Sequence, residues 1–211
     1  MIYEFRTYTF PPGKIGAYLD LAGNVGLPIR KNDFGTNHGY WSADIGALNQ
    51  AWHLWSYKDL NERAEFRARL SRDPRWTNDY VAKVGQLIAR QDIRLMHPLI
   101  EPRVPAELGN LYELRIYRTQ VGQARRWASM IQEYLPAREK YSKIVALWHT
   151  EAGQPNEVVH LWAYKDLNAR AKARADAIKD PAWQEFLGKS SPLLVEMHST
   201  ILVPASFSPL R

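Results

Sequence analysis

The sequence predicts an α+β protein built from two copies of one β-α-β-β-α-β unit, and three observations predict it. HLWSYKDLNERAEFR at residues 53–67 returns as HLWAYKDLNARAKAR at 160–174. Between Trp41 and Trp76 the first copy stays in gapless register with the stretch from Trp148 to Trp183, a length over which chance similarity does not hold. The order of apolar periodicities is the same before and after a Pro- and Gly-containing stretch at 101–110.

The elements follow in order. IYEFRTYTF at 2–10 is rich in β-branched and aromatic residues and stops at Pro11-Pro12-Gly13, so it reads as a strand. Ile15, Tyr18, Leu19, Ala22 and Val25 recur at helical spacing, predicting a helix from Lys14 to about Lys31 that Gly23, Gly26 and Pro28 weaken. His38–Ile45 and Ala51–Tyr57 read as a hairpin around a loop at 46–49. Asp59 is an N-cap with Glu62 placed for a capping box, and Asp73-Pro74 opens a second helical segment reaching about Arg90. Gln91–Ile100 closes the first unit as a fourth strand. In the second unit LYELRIYRTQVG at 111–122 matches IYEFRTYTFPPG at 2–13, and Asp166 and Asp180-Pro181 repeat the caps, while Ala169 replaces the capping-box Glu. The expected boundaries are 1–100 and 111–203 for the repeats, 101–110 for the linker and 204–211 for a tail.

Composition excludes several classes. The chain has 211 residues, 45% of them hydrophobic and 12% aromatic, enough for a sizeable core. It contains no cysteine, which removes disulfides, thiolate nucleophiles and Cys-ligated metals and fits a reducing compartment, with the cytoplasm the expected location. No apolar run approaches a membrane helix and the N-terminus lacks a signal-peptide pattern, so a soluble chain that begins directly with structure, with no membrane partner, is expected. The net charge of +6 is spread over helical stretches such as Arg63, Arg67, Arg69 and Arg72, interleaved with Glu62 and Glu65, which reads as a solvated face rather than a nucleic-acid surface. Glycine-rich phosphate loops, dinucleotide fingerprints and serine nucleophile elbows are absent.

The combination of Tyr-Glu-x-Arg-x-Tyr opening each half, a Trp followed by an acidic residue and Gly, then Leu-Trp-x-Tyr-x-Asp-Leu-x-x-Arg and Asp-Pro-x-Trp resembles the NIPSNAP family, twice over and across nearly the whole chain. The resemblance implies ferredoxin-like halves of the dimeric α/β-barrel type, with two four-stranded antiparallel sheets face to face, here closing one barrel within a single chain. It implies little about activity, although barrels of this type include cofactor-free monooxygenases, isomerases and haem-dependent enzymes.

Strand alternation sorts the side chains into two faces. Tyr3, Phe5, Trp52 and Leu54, with Tyr112, Leu114, Ile116, Val159 and Leu161, form one set, expected under the helices. Glu4, Arg6, Tyr8, His53, Trp55 and Tyr57, with Glu113, Arg115, Tyr117, His160, Trp162 and Tyr164, form the other, expected to face the partner sheet inside the barrel. Each half would then bring a carboxylate, a guanidinium, phenols, an indole and an imidazole toward one small-molecule cavity. His53 and His160 are the candidate acid-base residues, because an imidazole titrates near neutrality, and the others are candidate ligand-binding residues. The competing readings are core histidines satisfied by hydrogen bonds, Glu-Arg ion pairs tying the sheets together, and Trp55, Trp162, Trp76 and Trp183 as core aromatics. The six histidines show no metal-ligand spacing, so no metal and no cofactor is expected, with haem ligation left open. The expectation is a homo-oligomer that binds a small molecule or catalyses cofactor-independent oxygenase or isomerase chemistry in the barrel interior. The alternative is a protein-interaction module that uses the barrel surface.

Overall fold

The computed structural model describes residues 1–107 and 109–211. The first half comprises β1 (Ile2–Thr9), α1 (Ile15–Leu21), a π-helical stretch (Ala22–Gly26), α2 (Leu27–Arg30), β2 (Thr36–Ile45), β3 (Gln50–Tyr57), α3 (Leu60–Leu70), a second π-helical stretch (Arg75–Val81), α4 (Ala82–Val84) and β4 (Arg90–Ile100). The second half comprises β5 (Leu111–Thr119), α5 (Ala124–Arg138), β6 (Ile144–Ala152), β7 (Glu157–Tyr164), α6 (Leu167–Ala177), α7 (Pro181–Ser190) and β8 (Leu194–Pro204). All strand pairs are antiparallel. The order β1-β3-β2-β8-β5-β7-β6-β4 closes on itself as one barrel. The pairs β2–β8 and β4–β6 join the halves, so among the described residues neither half keeps a free sheet edge.

The two faces of the sheets lie opposite to the sequence expectation. The barrel interior holds the apolar set: Tyr3, Phe5, Trp52 and Leu54 meet Tyr112, Leu114, Val159 and Leu161 in one buried cluster to which all eight strands contribute. Trp41 packs edge-on against Tyr112 at 5.7 Å and Tyr3 lies 5.7 Å from Trp148, so aromatic contacts cross from one half to the other. The polar set faces outward, beneath the helices, where Tyr8, Trp55 and Tyr57 pack with Tyr18 of α1, and Tyr117, Trp162 and Tyr164 with Trp127 of α5. The reason is electrostatic. Helices deliver Arg63 and Arg170 onto Glu4 and Glu113, whereas the buried carboxylate of the interior face, Glu157 at the first residue of β7, is met by Arg94 and Arg118 at the end of the strands.

The caps read from sequence form. Asp59 accepts from the Glu62 amide at 2.9 Å and Asp166 from the Ala169 amide at 2.7 Å. Asp73 accepts from the Arg75 amide and Asp180 from the Ala182 amide, both at 2.9 Å. Glu62 accepts from the Lys58 amide, one residue ahead of the reciprocal capping-box partner. The helix expected over 14–31 is interrupted by the first π-helical stretch, and the segment after Pro74 opens as the second. A π-bulge accommodates one extra residue in a helix, and the two halves show that count. Both Leu27-Pro28-Ile29-Arg30 and Leu135-Pro136-Ala137-Arg138 end their helices, but Tyr18 precedes Arg30 by one residue more than Trp127 precedes Arg138. The tail folds back onto its own barrel: Leu210 joins the interior cluster and Ser208 Oγ accepts from the Tyr40 amide at 3.0 Å.

Candidate functional site

Each half carries the same constellation between its sheet and its helices. Cross-strand register places Arg6 opposite His53 and Glu4 opposite Trp55. The second half places Arg115 opposite His160 and Glu113 opposite Trp162. Pairing therefore fixes the constellation before any helix packs. Over the first sheet lies a cavity of about 320 Å³ lined by Arg6, Tyr8, Arg30, Tyr40, His53 and Arg67 among others. Over the second lies one of about 210 Å³ lined by Arg115, Tyr117, Arg138, His160, Trp162 and Arg174 among others.

The histidines are oriented by indoles. Trp55 Nε1 donates to His53 Nδ1 at 2.9 Å, and Trp162 Nε1 donates to His160 Nδ1 at 2.7 Å. An indole N–H can only donate, so Nδ1 is unprotonated and the neutral ring carries its proton on Nε2. Burial, then the charges of Arg6 and Arg30, holds His53 well below the usual imidazole range. Burial, then Arg115, Arg138 and Arg174, does the same for His160. Both Nε2 atoms are buried and find no partner among the described residues. These rings are hydrogen-bond donors fixed in the wall of a cavity: each Nδ1 is engaged by an indole and each Nε2 carries the proton.

Cations surround them. Glu4 is fully buried and pairs with Arg6 and Arg63. Glu113, equally buried, accepts from Arg170 at 2.7 Å and from Ser199 Oγ at 2.7 Å, with Arg174 at 3.4 Å and Arg115 at 3.8 Å. Burial opposes ionisation of both carboxyls, but the guanidiniums prevail and hold them below the ordinary carboxylate range. The Arg30 guanidinium lies 3.3 Å above the Trp55 ring and donates to Tyr57 Oη at 2.6 Å. Arg138 sits 4.6 Å above Trp162 and donates to Tyr164 Oη at 3.3 Å. Burial, together with neighbouring guanidiniums, lowers the pKa of Arg67 and Arg174, as expected where positive charge lacks sufficient counter-charge. Glu4 thus pairs with two guanidiniums and Glu113 with three, while Arg30 and Arg138 act on the histidines instead.

Of the residues expected from sequence, Arg6, Tyr8 and His53 line the first cavity, and Arg115, Tyr117, His160 and Trp162 the second. Glu4, Trp55, Tyr57, Glu113 and Tyr164 stand behind them as charge and hydrogen-bond partners. Sequence reasoning missed Arg30 and Arg138, although the repeated Leu-Pro-x-Arg signals them. It also took Arg63 and Arg67 for a solvated face. Their copies Arg170 and Arg174, each 107 residues on, were the available signal, whereas Arg69 has Asp176 at the same offset. Trp76 and Trp183, expected as core, line the cavities. Among the described residues no group of three or more His, Asp or Glu side chains is placed to hold a metal ion, and no helix is long and apolar enough to cross a membrane.

The NIPSNAP family model matches residues 3–100 and again 112–209. Human NipSnap homolog 3B is 29% identical over 99% of this chain and 85% of its own length. Mouse NipSnap homolog 2 is 31% identical over the whole of this chain and 76% of its own. An anthrone oxidase-like protein of known structure superposes with a TM-score of 0.69 at 10% identity, over all of this chain and 94% of its own, a likeness of fold alone. With both halves matched by the family and the relatives aligned along its full length, the chain belongs to the NIPSNAP family.

Proposed function

We propose that each half binds a small organic anion, its charged head against the guanidiniums and the imidazole N–H and its apolar body between sheet and helices. The observation that carries this is the buried, unpartnered Nε2–H of His53 and His160, repeated in two cavities crowded with arginine. An unsatisfied buried donor is costly, and an anionic oxygen is the acceptor that relieves it while offsetting the excess positive charge. The bound anion is either a carboxylate or an oxyanion formed by proton loss from an enolisable carbonyl or a phenol. Holding the latter is the electrostatic part of cofactor-independent oxygenase or isomerase chemistry, with the histidines as donors.

The location is the sheet–helix cavity of each half rather than the filled barrel interior. That filled interior also favours the second reading, a surface that recruits a protein partner. We further propose that the chain self-associates and acts in the cytoplasm: its lack of cysteine supports a reducing compartment, and symmetric association is common among soluble proteins. Isothermal titration with carboxylates of six to ten carbons and with their neutral amides tests the binding proposal. The acids are expected to bind at two sites per chain and the amides to fail, with Arg67→Gln and Arg174→Gln each weakening one site by about tenfold or more. Equal behaviour of acids and amides, or no binding of either, overturns it.

A further inference from the structure

The two cavities share their cationic frame but differ in their walls, and every equivalence can be anchored by contacts. Tyr18 packs edge-on against Tyr8 at 5.7 Å, as Trp127 packs against Tyr117 at 5.5 Å. Tyr40 pairs across the strands with His53, and Leu147 with His160. Tyr80 lies 4.6 Å from Trp76, as Phe186 lies 4.5 Å from Trp183, despite being one residue further along its chain segment, because the second π-helical stretch absorbs the extra residue. Three phenols of the first half, of which Tyr40 and Tyr80 line its cavity and Tyr18 stands behind them, thus correspond to three groups without a hydroxyl in the second.

Two further positions change in the same direction. Gln91 pairs with Tyr8, and Met197 with Tyr117. Ser71 caps the C-terminus of α3 and Ile178 that of α6, although the Ser71 hydroxyl already donates to the Ala68 carbonyl at 2.9 Å. The opposite exchange occurs near the end of α7, where Ser190 and Ser191 line the second cavity, but Ser191 Oγ is already engaged by the Leu187 carbonyl at 2.6 Å. The phenols of Tyr18, Tyr40 and Tyr80 remain protonated, because burial raises all three pKa values. The Tyr18 hydroxyl is wholly buried behind that wall, with the Tyr80 hydroxyl as its neighbour.

We propose that the duplicated sites have diverged in ligand class: the first half takes an anion whose body carries hydroxyl groups, and the second an anion of similar head and wholly apolar body. The inference rests on the anion-binding reading and adds the division of labour between its two sites. The physical ground is an asymmetry of discrimination. Walls built with hydrogen-bonding groups reject a ligand that leaves those groups unpaired, whereas apolar walls penalise an added hydroxyl less severely. The first cavity is also the larger, about 320 Å³ against 210 Å³, which suits a body carrying extra oxygen atoms.

The test uses the matched pair 3-(3,4-dihydroxyphenyl)propanoate and 3-phenylpropanoate, titrated into the wild-type chain and into Arg67→Gln and Arg174→Gln, which weaken the first and second sites respectively. The dihydroxy acid is expected to lose its tighter binding in Arg67→Gln and the phenyl acid in Arg174→Gln. Each site should prefer its own probe by about tenfold, with the larger ratio at the first. The paired substitution Tyr80→Phe with Gln91→Met keeps side-chain bulk and should move the first site toward the phenyl acid. Equal affinities for both probes at both sites, within twofold, overturn the divergence and leave anion binding standing. Absence of heat with either probe overturns both.

Discussion

At the residue scale the imidazoles of His53 and His160 make the protein sensitive to pH through folding. Both are held neutral in the folded state by burial and by adjacent guanidiniums, and burial also lowers His38 and His149. In the unfolded chain these rings protonate below about pH 6.5. Folded pKa values below unfolded ones mean that stability is full above about pH 6.5 and is lost as pH falls toward the folded values. The slope approaches about 1.4 kcal/mol per pH unit for each fully shifted histidine. Glu4 and Glu113 extend the loss to lower pH, because the stability from their depressed pKa values is full above about pH 4.3 and is lost as pH falls toward the folded values. Denaturant titrations between pH 8 and 5 should therefore show declining stability, and the double substitution His53→Gln, His160→Gln should flatten part of that decline. A wild-type profile that stays level from pH 7.5 to 5.5 would refute the neutral-donor assignment.

At the element scale the extra residues of the first half are confined to π-helical stretches, so the surrounding side chains keep the positions they have in the second half. Asn24 is exposed within the stretch Ala22–Gly26, and its removal should convert that stretch to regular helix with Tyr18 and Arg30 still facing the sheet. Ser129 is equally exposed but lies in the regular helix α5, where a deletion rotates Trp127 relative to Ile131, Leu135 and Arg138 by about 100°. Deleting Asn24 should cost about 1 kcal/mol or less, and deleting Ser129 about 3 kcal/mol or more. Comparable melting temperatures for the two deletions would contradict this account of the π-helical stretches.

At the scale of the whole molecule, each sheet buries its aromatic face only against the other. Residues 1–104 alone would expose Tyr3, Phe5, Trp41, Trp52, Leu54 and Met96 and leave β2 and β4 as open edges. The fragment should therefore elute as a dimer or larger species, and a folded monomer in sedimentation would show that the interior cluster does not hold the halves together. The caps at Asp59, Asp73, Asp166 and Asp180 were legible because they depend on a side chain and an amide two or three residues away. Of the expected residues Arg6, His53, Arg115 and His160 do line the cavities, but under the helices rather than inside the barrel. Strand alternation separates two faces without saying which is inside, and here both carry large aromatics.

The sequence by itself determined the duplication, the order of elements, the caps and the membership of each strand face, all of which follow from local spacing. Only the tertiary structure decided that the apolar faces meet inside a closed barrel and that the polar faces lie under helices. That choice depends on partners distant in sequence: Arg63 and Arg170 reach Glu4 and Glu113 from the helices, while on the interior face Glu157, at the first residue of β7, is met by Arg94 and Arg118. The role of the histidines was decided at the same level. Their neutral, Nε2-protonated form requires the indole donor beside each ring and the burial supplied by helices, and those conditions exist only once the halves are folded.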